Sequence, residues 1–500
     1  MAQHRDLGHI LAGFNSIADA KVMLRTFWTR YRKICPGFQL WQQLDQGVKK
    51  MEECVPLYLH GDEGVTYKRG GVLILSFQSP LGFGTSKGDK DLSLNLQDLG
   101  EAGLPLNFNK SGMYTRMLMV VCPKDMYKED PRVWNAIFER VVADFSHLEE
   151  HGLDLGTDGK IFPIIIGNKG DWSYLVTSGN LERSYRRSPK GAKEEGRDVE
   201  GAGICHLCLG GQSFDWENLQ MAEKAMAESR EHALPVPWFR EAAMTRMLIH
   251  DSGCNGKSRF YKLDLWHGFH LGIGKSWAAG GLLMIQQFLE GGNMDDRFKQ
   301  MSAMYVQFCK ANKIDKIISK IDKYLCGGGG SAEPLGTWNK AAVTTNLCLF
   351  MEWFFTENPD VVTHDDGVYY MAHGTAKINS TFRRLYSGDL WLRRELGLEI
   401  AGELLQFIRS YCFEAWFHLQ KGQSRFGMYP ELHLLHEVHG QMIWEASKSE
   451  WIYNPIAETC SMDEDFVGRC AILTRSVSPR LNSLRSLQRY LAQIQMSWRH

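Results

Sequence analysis

The pattern of hydrophobic and polar positions predicts a block of β-strands in the first third of the chain. Apolar runs at 55–60, 70–79 and 112–123 are short and are bounded by turn-forming residues, as strands are. A fourth run, at 160–166, is almost wholly apolar, which is typical of a strand buried on both faces. We therefore expect three strands followed by a buried central strand.

A helix is predicted between the third and fourth strands. Asp130 is a suitable N-cap, Pro131 suits the first helical position, and Gly152 suits the stop. The order of elements is then three strands, a helix and a buried strand. This order predicts an α/β fold with a ribonuclease-H-like mixed sheet.

Helical periodicity dominates most of the remaining chain. Residues 1–50 have apolar positions at helical spacing, and residues 212–425 are mostly helical in pattern, with a Gly-rich loop at 326–336. The last segment predicts a helix that breaks near Pro479 and then resumes.

These patterns divide the chain into four regions. We expect a helical region at 1–50 and the first part of the ribonuclease-H-like core at 51–180. A large, mainly helical insertion with a zinc site would occupy 181–450. The last catalytic helix and an Arg-rich tail would then follow at 451–500.

Composition narrows the class of protein. With 44% hydrophobic and 23% charged residues, the chain is typical of a globular protein. It has no run of roughly 18 apolar residues, which a membrane span requires, and its N-terminus lacks the apolar core of a secretory signal. The 12 cysteines are scattered, which is typical of reduced thiols. We expect a soluble intracellular chain with no membrane partner.

The net charge is −1, but basic residues are concentrated in three places. Basic runs lie at 25–38 and 183–193, and residues 466–500 contain six arginines and no Asp or Glu. Solvated helix faces would explain each patch alone, whereas together the patches favour a polyanion such as DNA, bound through its phosphates. The tail residues expected to contact DNA are Arg469, Arg475, Arg480, Arg485 and Arg489.

Two carboxylates stand at the ends of predicted strands. Asp62 follows the first strand, and Asp171 follows the buried fourth strand. A turn or N-cap role would explain either residue. In a ribonuclease-H-like sheet, however, the ends of these two strands are neighbours. Two-metal phosphoryl-transfer sites need at least three carboxylates, so a late helix would have to supply the third.

The segment 461–473 (SMDEDFVGRCAIL) offers three acids for that role. Asp463 and Glu464 each lie three residues before an apolar residue of the expected buried stripe, so both could face inward. Asp463 would also suit a helix N-cap, and Asp465 can pair with Arg469 one turn later. Glu464, whose extra methylene gives it reach, is therefore the preferred third ligand.

Short motifs after Asp171 resemble those of cut-and-paste DNA transposases with a DDE/D catalytic core. A Cys-x-x-Cys at 205–208, an Asp-x-x-His at 264–267 and closely spaced histidines at 433–436 follow one another in the order that several eukaryotic families share. The resemblance covers about residues 55–480 and also favours a glutamate as the third acid.

The resemblance implies a metal-dependent DNA transposase, or a domesticated descendant of one. It implies Mg²⁺ or Mn²⁺ held by Asp62, Asp171 and Glu464, strand cleavage by water, and strand transfer by a DNA 3′-hydroxyl. It also implies that the protein acts on DNA in the nucleus, and we expect a homo-oligomer. A related nuclease would share the same metal site.

The cysteine pair Cys205 and Cys208 has the spacing of half a structural zinc site. His267 and His270 stand three residues apart, a spacing that allows them to complete that site. Buried thiols and satisfied core histidines are the alternative interpretation of both pairs.

Two other functions stay open. The chain could be a non-catalytic nucleic-acid-binding or assembly protein that has kept a transposase fold and lost the function of its acids. It could also be a zinc-dependent hydrolase that uses the histidines together with Asp264.

Overall fold

The computed structural model describes residues 17–65, 70–85, 103–109, 111–156, 159–185, 193–194, 197–198, 203–232, 234–247, 256–327, 333–475 and 477–497. The chain forms two compact units. The first comprises Met1–Asp264, Tyr386–Gly397 and Trp444–His500, and the second comprises Leu265–Leu385 and Leu398–Ile443. The first unit is mixed α/β.

All strands of the described chain belong to the first unit. They are β1 (Cys54–Val65), β2 (Gly71–Gln78), β3 (Gly84–Thr85), β4 (Asn107–Phe108), β5 (Met117–Pro123), β6 (Leu153–Asp154), β7 (Lys160–Lys169), β8 (Lys193–Glu194), β9 (Arg197–Asp198), β10 (Trp391–Arg393) and β11 (Trp451–Tyr453). Five of them form one mixed sheet in the order β5-β2-β1-β7-β6, and the other six form pairs.

The helices before residue 264 belong to the first unit. They are α1 (Ile17–Ile34), α2 (Leu40–Asp45), α3 (Gly112–Thr115), α4 (Lys124–Tyr127), α5 (Pro131–His151), α6 (Trp172–Gly179) and α7 (Leu219–Glu231). Single 3₁₀ turns lie at Met51–Glu53, Ala243–Arg246 and Ser258–Phe260.

The helices after residue 264 begin with a π-helical turn, His267–Ile273. They continue as α8 (Gly274–Ile285), α9 (Met294–Ala311), α10 (Ala341–Glu357), α11 (Pro359–Val362), α12 (Asp366–Ser387), α13 (Arg394–Gln420), α14 (Pro430–Lys448), α15 (Ser461–Thr474) and α16 (Asn482–Ser497). Helices α12, α13 and α14 each cross a boundary between the units, and α15 and α16 belong to the first. The second unit has its own core, in which Trp277 is fully buried and donates to Thr375 Oγ1 at 3.0 Å.

Strand β1 is the central strand of the sheet, because its sequence is apolar on both faces. It pairs antiparallel with β2 and parallel with β7. In the parallel ladder His60 lies opposite Lys169, the last residue of β7. Parallel neighbours end at the same edge of a sheet, so the segments that follow His60 and Lys169 emerge there side by side.

The predicted order of three strands, a helix and a buried strand is confirmed as β1, β2, β5, α5 and β7. The predicted signals of α5 also act as expected. Asp130 accepts a hydrogen bond from the backbone N–H of Arg132, Pro131 is the first helical residue, and Gly152 ends the helix with φ +71°. Each signal satisfies or removes a backbone group that the helix end would leave unpaired.

Two local predictions need correction. The segment 112–123 was expected to be one strand, but Gly112–Thr115 form the short helix α3, because Ser111 caps it by accepting from Met113 N. Asp62 was expected to follow the first strand, whereas β1 continues past it to Val65 because its pairing with β2 continues to Gly71.

The C-terminal helices pack against the sheet through an apolar cluster. The break predicted near Pro479 is confirmed as a 3₁₀ turn between α15 and α16. From α15, Phe466, Val467 and Cys470 pack in one buried cluster with Val72 and Ile74 of β2.

No helix of the described residues combines the length and the apolar character that crossing a membrane requires. The basic run at 183–193 falls mostly outside the described residues, and so does residue 499.

We predict that Phe466→Ala lowers the free energy of unfolding by about 3–5 kcal/mol, because Phe466 is fully buried and its removal leaves a cavity under α15. Gly468→Ala on the same helix is the control. A Cβ at Gly468 would meet nothing within 4 Å, so this change should raise the free energy of unfolding by about 0.5–1 kcal/mol. Urea denaturation of the three proteins measures both effects. A loss below about 1 kcal/mol in Phe466→Ala would contradict this seating of α15.

Candidate functional site

Asp62 lies on β1 near the edge where β1 and β7 emerge together. Its side chain is half-buried, and its Oδ1 accepts a hydrogen bond from the backbone N–H of Glu63 at 2.6 Å. Because side chains alternate along a strand, Asp62 projects from the same face of β1 as His60.

Asp171 lies two residues beyond the end of β7 and is the N-cap of α6. Its Oδ1 accepts from the backbone N–H of Tyr174 at 2.7 Å, so the N-cap role considered from the sequence is confirmed. This cap uses one of the two carboxylate oxygens. A capping role is therefore compatible with a second partner.

The backbones of the two segments approach closely just before each acid. A Cβ at Gly170 would lie 2.8 Å from the carbonyl oxygen of Gly61, and a Cβ at either glycine would lie 2.2 Å from the Tyr174 ring. Burial raises the pKa of the Tyr174 hydroxyl, and the nearby charge of Asp62 contributes to that shift. The Tyr174 ring thus packs against both glycines, a contact that the sequence did not predict.

Helix α15 packs against β1 near this edge of the sheet. A Cβ at Gly64 would lie 2.8 Å from Ala471 Cβ and 3.4 Å from Val467 Cγ1. Residues 460, 464, 467 and 471 form one stripe at helical spacing, so Glu464 lies on the stripe that faces β1. Glu464 itself is half-buried in the first turn of α15.

Asp463 is wholly buried and belongs to an ion-pair network. Its Oδ2 lies 2.8 Å from Lys169 Nζ, and its Oδ1 accepts from Arg116 Nε at 3.2 Å. Burial alone would raise the pKa of Asp463, but the charges of Lys169 and Arg116 outweigh it and hold that pKa well below its usual range. The N-cap role expected for Asp463 is wrong, because Cys460 stands at the cap position and Asp463 already lies within the helix.

Asp465 points away from the network. It forms the predicted ion pair with Arg469 at 2.7 Å, which is confirmed, and its Oδ2 would lie 3.4 Å from a Cβ at Gly112. Asp463 and Asp465 therefore each have a structural partner in the described chain.

A buried cluster of polar side chains lies between β1 and the start of α15, within the first unit. One ligand atom each of His60, Cys460 and Asp463 lie within 4.8 Å of one another, and all three residues are fully buried. Burial lowers the pKa of His60 to about 4 and raises the pKa of the Cys460 thiol. Neither ring nitrogen of His60 has a hydrogen-bond partner among the residues that the structure describes.

These three side chains are of types that could hold a metal ion, although the type of metal is undefined. The charges around Asp463 are, however, already balanced without one. Lys169 and Arg116 each form an ion pair with one of its two oxygens. The negative charge of Asp264 favours the protonated forms of both His60 and Cys460. A neutral His60 and a protonated Cys460 then need no further cation.

Neither His60 nor Cys460 was predicted from the sequence to be a site residue. The only signal was a histidine inside the apolar run of 55–60, and periodicity alone does not distinguish such a histidine from a core residue.

The pair Cys205 and Cys208 is buried in the first unit, and the two Sγ atoms lie within 4.8 Å of each other. The backbone N–H of Leu207 donates to Cys205 Sγ at 3.3 Å, and Tyr185 Oη lies 3.6 Å from the same sulfur. Hydrogen bonds to sulfur favour the thiolate form, which is the form that binds metals.

The histidines expected to complete a zinc site belong to the second unit. His267 and His270 lie in the π-helical turn, and His270 is buried beside Phe382 with ring centroids 4.6 Å apart. His270 Nδ1 lies 3.4 Å from Thr345 Oγ1. These contacts are those of a core histidine, and a shared site with Cys205 and Cys208 stays a prediction.

The tail arginines lie on α15, α16 and the turn between them. Arg469 pairs with Asp465, and Arg489 donates to the carbonyl oxygen of Leu473 at 3.1 Å. The remaining three side chains are exposed, those of Arg475, Arg480 and Arg485.

Comparison of the chain with protein-family models, with curated proteins and with solved structures finds no match. Its function is therefore inferred from its own side chains.

We predict that His60 makes the folded state sensitive to mild acid. Its pKa is about 4 when folded, against about 6.5 when unfolded, so between these values the unfolded chain binds more protons. The contribution of His60 to stability is complete above about pH 6.5 and is lost as the pH falls towards 4.

The free energy of unfolding should therefore fall by about 1–3 kcal/mol from this group alone between pH 7 and 4. His60→Leu should remove that part of the slope. Urea denaturation in the presence of a chelator measures it at each pH, and equal slopes in both proteins would contradict the burial of a neutral His60.

Proposed function

We propose that this chain is a metal-dependent DNA transposase or nuclease of the DDE/D type. Asp62, Asp171 and Glu464 are its candidate ligands for Mg²⁺ or Mn²⁺. The observation that carries the proposal is the parallel register of β1 and β7, in which His60 lies opposite Lys169.

That register places both aspartates just beyond the last paired residues, two positions after His60 and two positions after Lys169. Asp62 is still within β1, so its side chain shares a face with that of His60, whereas Asp171 lies beyond β7 and caps α6. His60 and Lys169 both reach Asp463 on α15. Asp62 therefore projects from the face of β1 on which α15 packs.

Glu464 is the acid of α15 that best completes this set. Asp463 is held by Lys169, and Asp465 is held by Arg469. Glu464 lies on the stripe facing β1, and its longer side chain suits ligation from a helix to groups on neighbouring strands.

The donor set fits the proposed ions, because Mg²⁺ and Mn²⁺ prefer carboxylate oxygens. When bound, such ions activate the attacking oxygen and stabilise the leaving oxygen of a phosphodiester. The protein would hold the carboxylates in place through the Asp171 cap, the Asp62 hydrogen bond to Glu63 and the seating of α15.

The strand order supports a ribonuclease-H-like core. Strands β2 and β5 continue the sheet antiparallel on one side of β1, and β7 lies parallel on the other. The fifth position is taken by β6, which precedes β7 and pairs antiparallel with it. DNA, held partly by the exposed arginines of the tail, is the proposed partner, and we propose that the protein acts on it in the nucleus as a homo-oligomer.

A second candidate is a non-catalytic nucleic-acid-binding protein with a degenerate transposase fold. It is favoured by the structural hydrogen bonds that Asp62 and Asp171 already make to backbone N–H groups. In that case the acids would only shape the strand ends, and DNA affinity would not depend on a divalent ion.

We predict that Asp62→Asn, Asp171→Asn and Glu464→Gln each lower Mg²⁺-dependent cleavage, and Mn²⁺-supported strand transfer of a pre-cleaved DNA end, by at least about 100-fold. Asn is also a good N-cap, so Asp171→Asn keeps α6 capped while removing the charge. Asp465→Asn is the control, because it removes a neighbouring acid that pairs with Arg469.

Thermal unfolding of each variant checks that folding is intact. Full activity in any of the three variants would exclude that residue as a ligand. Equal loss in Asp465→Asn would mean that the charge of the segment, rather than ligation by Glu464, matters. DNA binding without any cleavage in the wild-type protein would favour the second candidate.

We also propose that Cys205 and Cys208 supply two ligands of a structural zinc ion. The sulfur spacing and the N–H donated by Leu207 support this assignment.

We predict one zinc per chain by elemental analysis of protein purified without chelator. Cys205→Ser should abolish zinc binding and lower the melting temperature sharply, because a closed zinc site contributes directly to folding. Cys348→Ser, at another fully buried cysteine, is the control and should keep the zinc. Zinc-free wild-type protein would leave the pair as buried thiols.

A further inference from the structure

A single aromatic side chain is presented to solvent by a loop of the first unit. Phe239 is 96% exposed, whereas the adjacent Trp238 is 7% exposed. Large apolar side chains normally lose most of their exposed area on folding, because burying a Phe is worth roughly 1.5–3 kcal/mol. A fully exposed Phe next to a buried Trp therefore needs an explanation.

Mobility of the loop is not that explanation, since the residues around Phe239 are anchored. The backbone carbonyl of Pro237 accepts from Glu182 N at 2.6 Å, and the carbonyl of Arg240 accepts from Asn180 Nδ2 at 3.2 Å. The Trp238 ring packs edge-on against Tyr261, with ring centroids 6.2 Å apart.

Two further contacts fix the flanks of the loop. Arg183 Nη2 donates to the carbonyl of Pro235 at 2.8 Å, and Lys257 Nζ pairs with Glu241 at 2.6 Å. The loop is thus held on both sides of Phe239. The backbone that carries the ring is therefore fixed, which lowers the backbone part of the entropy cost of binding.

A cation stands directly beside the ring. The guanidinium of Arg240 is exposed and makes no ion pair with the described residues, whereas the acid next to it, Glu241, is paired with Lys257. The tip of the loop therefore combines one aromatic face with one positive charge.

This combination suits a nucleotide better than a protein surface. Protein partners bind large contiguous apolar patches, whereas the described part of this loop adds to Phe239 only the small exposed side chains of Pro235 and Val236. Single-stranded nucleic acids are held by aromatic rings that stack on bases and by cations that contact phosphates. Bases within a duplex are stacked on both faces and would have to be unstacked to admit such a ring, so an unpaired base is the favoured occupant.

We propose that Phe239 stacks on an unpaired DNA base and that Arg240 contacts an adjacent phosphate. The inference deepens the proposed function and rests on it for the choice of DNA. Asn180, which holds the loop, is the C-cap of α6, and Asp171 is the N-cap of the same helix. At 1.5 Å per residue the two caps are about 13 Å apart, which is the length of about four stacked nucleotides. The stacked base would then lie a few nucleotides from the candidate metal ligands.

The test compares the affinity of a fluorescein-labelled single strand and of the matching duplex, measured by anisotropy. Phe239→Ala should weaken single-strand binding by about ten-fold or more, with less than about two-fold change for the duplex. Phe239→Trp should retain the affinity, and Phe239→Leu, which keeps apolar area without a π-face, should lose most of it. Met126→Ala, which removes another exposed apolar side chain of the same unit, should change neither.

The position of contact is tested separately by photocrosslinking a single strand that carries 5-iodouracil. The crosslink should map to the peptide containing Phe239. Arg240→Gln should lower the salt dependence of single-strand binding by about 0.7 in the log–log slope, which corresponds to one phosphate.

Unchanged single-strand affinity in Phe239→Ala, full affinity in Phe239→Leu, or a crosslink elsewhere would overturn the proposal. Failure of the proposed function has a different signature. If Asp62→Asn has no effect on cleavage but Phe239→Ala still weakens single-strand binding, the metal assignment fails and the base contact stands. If Asp62→Asn abolishes cleavage and Phe239→Ala leaves binding unchanged, the base contact alone fails.

Discussion

The ion-pair network of Asp463 with Lys169 and Arg116 is the interaction on which the rest of the first unit depends. It joins α15 to the end of β7 and to the residue just before β5, three segments that are far apart in sequence. All three charged groups are almost fully buried. A buried carboxylate that loses its cation costs about 3–5 kcal/mol, so the network strongly favours one position of α15 over its alternatives.

That position matters because α15 carries Glu464, the proposed metal ligand, between Asp463 and Asp465, which form ion pairs within the protein. The apolar cluster of Phe466, Val467 and Cys470 holds the helix against β2. It would allow small shifts of the helix along the sheet, because hydrophobic contacts are not directional. The ion pairs of Asp463 are directional. Together they fix both the depth and the rotation of the helix, and hence the direction in which Glu464 projects.

The sequence allowed most of the sheet to be predicted but little of what surrounds the strand ends. Strand order, the caps of α5 and the break before α16 follow from local signals, because caps, prolines and apolar runs act over a few residues. The role of Asp463 could not be predicted in this way, since Lys169 and Arg116 are about 300 residues or more away in sequence. The position of the Tyr174 ring could not be predicted locally either, because the ring packs against Gly61 of β1. It fits there because both Gly61 and Gly170 lack a side chain.

Three acids in a row on one helix can serve three purposes because successive residues are rotated by about 100°. Asp463 points into the protein and meets cations, and Asp465 points along the outer surface to Arg469. Glu464 is half-buried in the first turn of α15, on the stripe that faces β1. Partial burial suits the proposed ligand of a divalent ion, because it restricts the direction of the carboxylate while leaving a route by which the ion can reach it.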